Sequence, residues 1–482
     1  MSEPERMESV VFGAFVGFVR MRGDSMKRWS ASLRARFVAF LAAFATLATS
    51  FPAAAQSERA RLPVVRDAEI EALVKEYAGP ILQAAGLSAS RVEIVLVNDL
   101  AFNAFVAGRR IFINTGTILA AQTPNQTIGV IAHEVGHLAG GHLDRMRDEI
   151  ARAQTIAVVA GLLGAGLAAA GAMSGQGEIA SAGAAAMSSG GGIARRGLFA
   201  YQRGEEITAD RSAVTYLNKT GQSPRGLLEG FQNMMRTSML SGGNTARYVS
   251  SHPAPQDRLG LLQALAQESP YWDRRDPPQL QLRHDLARAK IAAYNGGAGL
   301  VRQTFGRDLH SLPARYGDAI ATHLAGAPAQ ALQKIDALIS EVPRNAYFHE
   351  IKGEILQQAG RANEAASAFA RAAELDPSNS GLLRASVGQA LVTGGNPSRM
   401  QEAITQIRRG LEAEPNNATA YRFLAMAYGQ IGDVGSAELA TAEGYWQAGR
   451  FRDAKVFAAR AQGKFRPGTP QWQRANDIIT SP

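Results

Sequence analysis

The chain has no cysteine among its 482 residues. This absence excludes disulfide bonds, thiolate zinc sites and a cysteine nucleophile, so any metal must be held by histidine and carboxylate side chains. A concentrated charge of one sign is also missing, since 51 Lys and Arg residues face 42 Asp and Glu residues. The net charge of +9 is dispersed along the chain and does not indicate nucleic-acid binding. The length is typical of two or three domains.

The N-terminal region has the pattern of a targeting signal. A basic stretch begins at Met26, an apolar run follows over 37–51, and small residues lead to Ala55. This order is typical of a secretory signal peptide, so we predict translation from Met26 and cleavage after Ala55, with residues 1–55 as a leader. The alternative is an uncleaved anchor helix, but the apolar run is shorter than the roughly 20 residues that a span needs.

The region that follows the leader alternates between helical and strand patterns. The residue pattern predicts a helix over 67–78 and β-branched strands over 92–97 and 110–114, joined by a loop. A further helix should begin at Pro124, with Thr123 as its N-cap and Gln126 completing a capping box, and should run to about Arg147.

Residues 153–194 are rich in alanine and glycine, and Glu178 is the only acidic residue among them. The part over 153–177 has no charge and is long enough to cross a bilayer, although its glycines make it weakly hydrophobic. We expect a mobile, partly helical flap or a lipid-surface segment. A membrane-inserted hairpin is the alternative.

From about Leu282 onward the pattern is helical and repetitive. Pro343 and Pro377 lie one tetratricopeptide period of 34 residues apart, and small and large residues fall between them where that repeat needs them: Gly353, Ala365, Phe369 and Ala372. The next interval is longer by a turn at 394–397. The sequence therefore predicts four or five tetratricopeptide repeats over 315–465; the alternative is a non-repeating helical bundle.

The segment His133-Glu134-Val135-Gly136-His137 carries the clearest chemistry. In a helix, two histidines four positions apart stand on one face and can bind a single cation. Glu134 is offset from both and can reach a water molecule on the metal. Zinc suits this arrangement because it lowers the pKa of such a water, and the carboxylate then takes the proton. The alternative is an accidental match of five residues.

Two histidines leave a zinc ion short of ligands. A second helical pair, Glu206 and Asp210, can supply one carboxylate to the metal and a second carboxylate to the N–H of a ligating imidazole. Continuing the first helix turns His142 away from His133, so we expect a structural role for His142. Glu205 should be solvated.

Together these motifs resemble the M48 metallopeptidases, in which a glutamate of an E-x-x-A-D segment completes the zinc site. Two other stretches are similar to family motifs: Asn103-Ala104-Phe105-Val106, and Ser251-His252-Pro253 with Arg258. The absence of cysteine departs from relatives in which a disulfide would act as a redox control.

The resemblance implies a fold and a set of domains. We expect an α+β zincin-like (gluzincin) metalloprotease domain, mainly helical, over 62–270, with the alanine- and glycine-rich flap at 153–194 inside it. A helical connector at 271–314 and an all-α tetratricopeptide-repeat domain at 315–482 should follow.

The resemblance also implies a function. We expect a periplasmic zinc endopeptidase with one Zn2+ per chain, bound by His133, His137 and Glu206. Its repeats would recruit misfolded or stalled outer-membrane proteins, or the outer-membrane assembly machinery, and peripheral membrane contact through 153–194 is left open. Two other functions remain: a chaperone or adaptor with a largely latent protease site, and a membrane-embedded M48 protease.

Three further expectations concern substrate and control. Asn103–Val106 should form or border an edge strand that pairs with an extended substrate, the alternative being a plain loop. His252 lies in a Ser/His/Pro loop and could fill the fourth zinc position as an inhibitory ligand. Alternatively, His252 or Arg258 could donate a hydrogen bond to the oxyanion, or His252 could merely bind the loop backbone.

Overall fold

The computed structural model describes residues 62–174, 176–241, 252 and 255–481. The leader, with its predicted start at Met26 and cleavage after Ala55, lies outside the described residues. So do Ser251 and Pro253, the neighbours of His252.

Four strands form one mixed sheet within the described residues: β1 (Val64–Val65), β2 (Glu93–Val97), β3 (Ala104–Ala107) and β4 (Arg110–Asn114), in the order β1-β2-β4-β3. The β2–β4 pair is parallel, whereas β1 pairs with β2 and β3 with β4 in antiparallel fashion. Both strands predicted from the β-branched runs are confirmed. Because β3 is last in this order, its outer side has no neighbouring strand in the described part of the chain.

Eight helices of the described region precede the repeats: α1 (Ala68–Ala84), α2 (Thr115–Ala120), α3 (Pro124–Gly140), α4 (His142–Ser174), α5 (Gly177–Lys219), α6 (Arg225–Ser241), α7 (Pro255–Gln267) and α8 (Pro278–Phe305). The helix predicted over 67–78 is α1. Asp67 is its N-cap, since the side chain accepts a hydrogen bond from the Ile70 backbone N–H at 2.9 Å.

The helix that carries the histidine pair differs from its prediction at both ends. Thr123 precedes Pro124 as expected, but its side chain makes no capping hydrogen bond. The Gln126 side chain instead accepts from the backbone N–H of Gln122 at 2.8 Å. At the other end, Gly141 takes a left-handed conformation with φ of 65°, which stops α3 at Gly140 rather than near Arg147.

The alanine- and glycine-rich region is helical almost throughout, which corrects the prediction of a partly helical flap. It forms the distal parts of α4 and α5, two long antiparallel helices. The proximal part of α5 then returns to the body of the domain and packs against α3. Helix α5 therefore brings Glu206 and Asp210 beside the histidine pair.

One apolar core holds these elements in place. Side chains from α1, β2, α3 and α5 meet in it and are at most 2% exposed: Leu73, Ile81, Leu96, Ile131 and Leu217. Burial of side chains of this kind stabilises a fold by about 1.5–3 kcal/mol each. The core fixes the rotation of α3, so that the face carrying the histidine pair points to α5 and the edge of the sheet.

The C-terminal region is an all-α tetratricopeptide-repeat array, as predicted. Its helices form five consecutive pairs: α9 (Leu312–Leu324) with α10 (Pro328–Glu341), α11 (Ala346–Gln358) with α12 (Ala362–Leu375), α13 (Gly381–Gly394) with α14 (Met400–Ala413), α15 (Ala418–Gln430) with α16 (Val434–Gln447), and α17 (Phe451–Gln462) with α18 (Pro470–Thr480). A Cβ atom on Gly353 would lie 2.7 Å from the Phe369 ring, so the repeat needs its small residue there. The extra residues after Gly394 form a short 3-10 helix, Pro397–Arg399.

A buried ion cluster joins the repeats to the elements around the sheet. Lys290 of α8 is 1% exposed, and its Nζ lies 2.8 Å from Asp67 Oδ2 and 2.9 Å from Glu350 Oε2. Tyr316 of α9 donates a hydrogen bond to Glu69 Oε2 at 2.9 Å. Since α8 takes part in both regions, the predicted domain limits of 270 and 314 stay predictions.

Candidate metal centre

The helices α3 and α5 approach each other closely beside the histidine pair. A Cβ atom on Gly136 would lie 2.8 Å from the Ala209 carbonyl oxygen, and Ala209 itself is fully buried. A glycine in one motif and an alanine in the other therefore allow the two backbones to touch. This contact sets His133 and His137 opposite Glu206.

Four side chains converge at this point: His133, His137, Glu206 and His252. Each offers a donor atom, and these atoms all lie within 4.8 Å of one another. His133 Nε2 lies 3.0 Å from His137 Nε2 and 3.4 Å from Glu206 Oε2. Imidazole nitrogens and a carboxylate in so small a volume fit a tetrahedral zinc ion. The structure thus brings the three predicted ligands together and adds His252 to them.

The outer nitrogens of the two α3 histidines also lie close to further side chains. His133 Nδ1 lies 2.9 Å from Asp210 Oδ1, the carboxylate that the sequence predicts for this place. His137 Nδ1 lies 2.8 Å from His142 Nδ1, and His142 Nε2 lies 2.9 Å from Glu205 Oε2. Such contacts fix the orientation of a metal-binding imidazole.

The contacts of His142 and Glu205 were missed from the sequence. Glu205 was expected to be solvated, but its side chain is 14% exposed and accepts a hydrogen bond from Arg145 at 2.6 Å. The expectation for His142 assumed that α3 continues through it. Because Gly141 ends the helix, that angular argument does not apply; the signal in the sequence is Gly141 itself, since glycine adopts the left-handed conformation of a helix end without strain.

Arg258 lies beneath the carboxylates of the site. Its guanidinium, 1% exposed, donates to both oxygens of Asp210 at 2.8 Å and to Glu206 Oε2 at 2.5 Å, and it stacks over the Phe231 ring at 4.9 Å. Two buried carboxylates in contact with a metal site need a compensating charge, and Arg258 supplies it. These contacts favour a structural role over hydrogen bonding to an oxyanion.

Glu134 has a contrasting environment. Its side chain is 1% exposed, and within the described residues neither carboxylate oxygen has a hydrogen-bond partner. The nearest side-chain nitrogen that can carry a positive charge is His252 Nε2, which lies 3.6 Å from Glu134 Oε1. A buried carboxylate without a hydrogen bond is costly unless a further group binds it. A water molecule held by a metal ion would be such a group.

His252 contacts each part of the site. Its Nδ1 lies 3.1 Å from both oxygens of Glu206 and 3.4 Å from His133 Nε2. Its Nε2 donates a hydrogen bond to the backbone carbonyl of Ala104, in strand β3, at 3.1 Å. When Nε2 carries that proton, Nδ1 has a lone pair that can bind a cation.

Opposing electrostatic effects act on the imidazoles and the carboxylate of this cluster. Burial alone would lower the pKa of His133, but hydrogen bonds and charges of Asp210 and Glu206 outweigh it and raise the pKa to about 10. Burial lowers the pKa of His137. For Glu206, burial would raise the pKa, yet the surrounding histidines, His252 first, hold it well below its usual range. A cation entering the site must therefore displace protons, so its affinity falls with decreasing pH.

The predicted substrate segment is an edge strand beside the site, with one residue of offset. Strand β3 begins at Ala104, and Asn103 precedes it with its carbonyl accepting from the Asn114 backbone N–H at 3.0 Å. Antiparallel pairing alternates, so the N–H and C=O groups of Ala104 point to the free side of the sheet. Phe105 stacks on Phe112 with ring centroids 4.8 Å apart.

A cavity of about 210 Å³ opens beside this strand. Its lining combines side chains of β3, the candidate metal site and the base of the α4–α5 hairpin: Phe105, Val106, Glu134, His137, Leu143 and Met146. An extended chain on β3 would therefore pass the donor cluster on its way through the cavity.

Sequence comparison agrees with this geometry. Residues 63–266 match the profile of peptidase family M48. These residues form an M48 domain. The match includes both ligand-bearing helices, the edge strand, the α4–α5 hairpin and Arg258.

Curated relatives extend the similarity of the M48 domain into the repeats. The β-barrel assembly-enhancing protease of Escherichia coli (strain K12) is 23% identical over 426 residues, which are 86% of this chain and 83% of that protein. The protein of the same name from Yersinia pestis is 23% identical over 438 residues, with 86% and 84% of the two chains covered. Among solved structures, "MamA MSR-1 C2" is 23% identical and covers 36% of this chain and 99% of its own, with a TM-score of 0.29 that is too low for structural inference.

Proposed function

We propose that the chain is a zinc-dependent endopeptidase of the bacterial periplasm, with one Zn2+ bound by His133, His137 and Glu206. The observation that carries the proposal is the four-donor cluster beside Glu134, a buried carboxylate with no hydrogen-bond partner in the described structure. Zinc in this place would supply a Lewis acid that polarises a carbonyl and lowers the pKa of a water molecule.

Other side chains of the M48 domain transfer the proton, orient the histidines and balance the charge of the site. Glu134 acts as a general base when its carboxylate accepts a proton from the attacking water. It then acts as a general acid when it gives that proton to the amine of the departing peptide. Asp210 holds His133 through Nδ1, and His142 does the same for His137. Arg258 balances the charge of Asp210 and Glu206.

We propose that the substrate is an extended polypeptide that pairs with β3. Backbone pairing accepts many sequences, because main-chain groups are the same in every peptide. The free-side carbonyl of Ala104 is an acceptor that such a substrate needs, and His252 occupies it in this structure.

It follows that the substrate and His252 compete for the backbone carbonyl of Ala104. In the resting protein, His252 completes the donor cluster through Nδ1 and is held by Ala104 through Nε2. A strand that pairs with β3 takes over the Ala104 carbonyl and so weakens the hold on His252. We propose that His252 is an inhibitory ligand that substrate binding releases, which accounts for its contacts better than an oxyanion-binding role.

The clients are proposed from the relatives. The proteins from Escherichia coli and Yersinia pestis are named as β-barrel assembly-enhancing proteases, and the similarity extends over the repeats. We propose that misfolded or stalled outer-membrane proteins are the substrates and that the repeats contact the outer-membrane assembly machinery. Stacked helix pairs give the extended surface that such a partner requires.

A Glu134→Gln variant tests both the activity and the clients. It should keep its zinc, lose hydrolysis of casein, and retain uncleaved clients that mass spectrometry can identify. Asp144→Asn, an exposed change on the neighbouring helix α4, is the matched control and should remain active. An active Glu134→Gln variant would refute the proposed mechanism, whereas an inactive wild type that still binds clients would favour the chaperone or adaptor function.

A further inference from the structure

The α4–α5 hairpin of the M48 domain carries large apolar side chains that are exposed. Helix α4 is the one helix in the described residues that is long and apolar enough to cross a membrane, and only 11% of its apolar window is buried. No charged residue occurs from 153 to 177. A core helix of a soluble protein would bury most of such a stretch.

The packing within the hairpin is inverted relative to a soluble pair of helices. In the apolar part of α4 the buried positions are Gly164 and Gly171, and a Cβ atom on Gly171 would lie 2.3 Å from the Ala180 backbone nitrogen of α5. The large apolar side chains point outward and are between 48% and 77% exposed: Ile156, Val158, Val159, Leu162, Leu163, Leu167 and Met173. Small residues inside and large apolar residues outside are typical of helix pairs in lipid.

The exposed side chains cover a wide arc of the helix. At 100° per residue, the positions from Ile156 to Met173 span about 180° of the α4 circumference. A single protein groove covers a narrower stripe, whereas acyl chains surround a helix on every free side. The arc therefore favours lipid over a protein partner or a second copy of the chain.

Length and end chemistry agree with a bilayer. Residues 153–174 span about 33 Å at 1.5 Å per residue, and a hydrocarbon core is about 30 Å thick. The end of the hairpin that is nearest to the candidate metal centre carries Arg152 and Arg196. Because Gly171 of α4 contacts Ala180 of α5, the exposed Phe199 lies at about the same height along the hairpin as Arg152. Cationic and aromatic side chains favour the headgroup region. The far end carries the polar residues Gln176 and Glu178.

We propose that the α4–α5 hairpin inserts into a lipid bilayer through residues 153–174 of α4 and the part of α5 that packs against them, with the outer face of α4 against the acyl chains. Leu143, Met146 and Glu205, at the base of the hairpin, also line the cavity of the candidate metal centre. Residues 142 to 152 rise by about 15 Å along α4. Insertion therefore holds the cavity close to the membrane surface, where a membrane-bound client would reach it.

The cysteine-free chain allows a direct test of insertion. A Leu163→Cys variant in a Glu134→Gln background, which prevents self-cleavage, is labelled with an environment-sensitive nitrobenzoxadiazole dye. Protein-free vesicles of phosphatidylethanolamine and phosphatidylglycerol, about 3:1, should shift its emission to the blue and raise its intensity. The control Val456→Cys, on α17 and 57% exposed, should show neither change.

A second measurement tests the side chains themselves. The parent in this experiment is the Glu134→Gln protein. In a flotation assay with the same vesicles, the fraction of protein that floats should be at least tenfold lower for the double variant Leu162→Lys/Leu163→Lys than for the parent. The fraction for Val456→Lys should equal that of the parent. Matching thermal unfolding midpoints show that each variant is folded. Failure of the parent to float, or a dye shift that follows protein concentration without vesicles, would overturn the proposal, the latter indicating contact between copies of the chain.

Discussion

His252 donates a hydrogen bond to the carbonyl oxygen of Ala104, which links the candidate metal centre to the free edge of the sheet. The same imidazole lies 3.1 Å from the Glu206 carboxylate through its other nitrogen. One side chain thus contacts a proposed zinc ligand and the strand proposed to bind substrate. The first prediction depends on this pair of contacts.

Replacing His252 by Ala should raise basal proteolysis of casein several-fold, because the proposed fourth ligand is removed and Ala104 becomes free to pair with substrate. Steady-state rates on a fluorescent casein, with zinc content measured in parallel, check this. A severe loss of activity at full zinc content would indicate oxyanion stabilisation instead. Unchanged activity would exclude both roles.

Loss of a zinc ligand should reduce the metal content of the protein, whereas loss of the general base should not. His133→Ala removes a ligand, so zinc content and activity should both fall. Glu134→Gln should keep its zinc and lose activity by about 10²- to 10⁴-fold, the usual range for a general base. Metal analysis of the purified proteins decides, and equal zinc loss in the two variants would contradict the assignment of Glu134.

The side chains that contact the outer ring nitrogens of His133 and His137 should affect the affinity for zinc. Asp210→Asn weakens the contact with His133 Nδ1 and should lower zinc affinity by about 10- to 100-fold. His142→Ala removes the partner of His137 and should act in the same direction. Competition with a chromogenic chelator measures both. An affinity for zinc that does not change in either variant would show that these contacts do not orient the ligands.

Strand addition at β3 can be tested at a single backbone position. Ala104→Pro removes an N–H group that points away from β4, so the sheet should persist while pairing with substrate is blocked. Casein hydrolysis should then fall, with an unchanged rate for a dipeptide-length substrate that is too short to pair. Phe105→Pro is the contrasting variant, since it disrupts pairing with β4 and should lower the unfolding midpoint. Full casein activity of Ala104→Pro would rule out substrate pairing at this site.

The buried ion cluster between the M48 domain and the repeats should make stability depend on pH. Burial raises the pKa of Glu69 to about 7 and that of Glu350 to about 8, from an ordinary value of 4.5. Between pH 4.5 and 8 the folded chain therefore holds protons that the unfolded chain has released. The free energy of unfolding should fall as pH rises through this range, by up to about 1.4 kcal/mol per pH unit for each such proton.

Thermal unfolding at a series of pH values between 5 and 8 measures this slope. Glu350→Gln removes one of the protonated groups and should make the slope shallower. Glu374→Gln, at an exposed position, is the control and should leave it unchanged. An identical slope in wild type and Glu350→Gln would show that Glu350 does not hold a proton in the folded state.

Local patterns predicted much of the fold. The strands β2 and β4 follow from β-branched runs, and the spacing of His133 and His137 follows from the helical period, because both depend only on neighbours in sequence. The repeats are predictable for the same reason, since the 34-residue interval from Pro343 to Pro377 contains small and large residues in the order that a tetratricopeptide repeat needs.

Features that depend on distant contacts were not predictable. The contact of Glu205 with His142 and Arg145 requires α4 and α5 to lie side by side, and the Lys290 cluster requires α8 to meet Asp67, more than 200 residues earlier in the chain. The position of the α3 terminus was wrong because a single left-handed glycine outweighs a continuing apolar pattern. The first two features are contacts made only after folding, whereas the third depends on a local conformation of Gly141.

The touching backbones at Gly136 and Ala209 determine how far apart the donor atoms stand. Glu206 and the histidine pair lie on two separate helices, so the distance between those helices limits how closely their side chains can approach. A hydrogen atom at residue 136, where every other amino acid has a carbon, allows this distance to be short. A methyl group at residue 136 would push α3 and α5 apart and so widen the donor cluster without changing any of its four side chains.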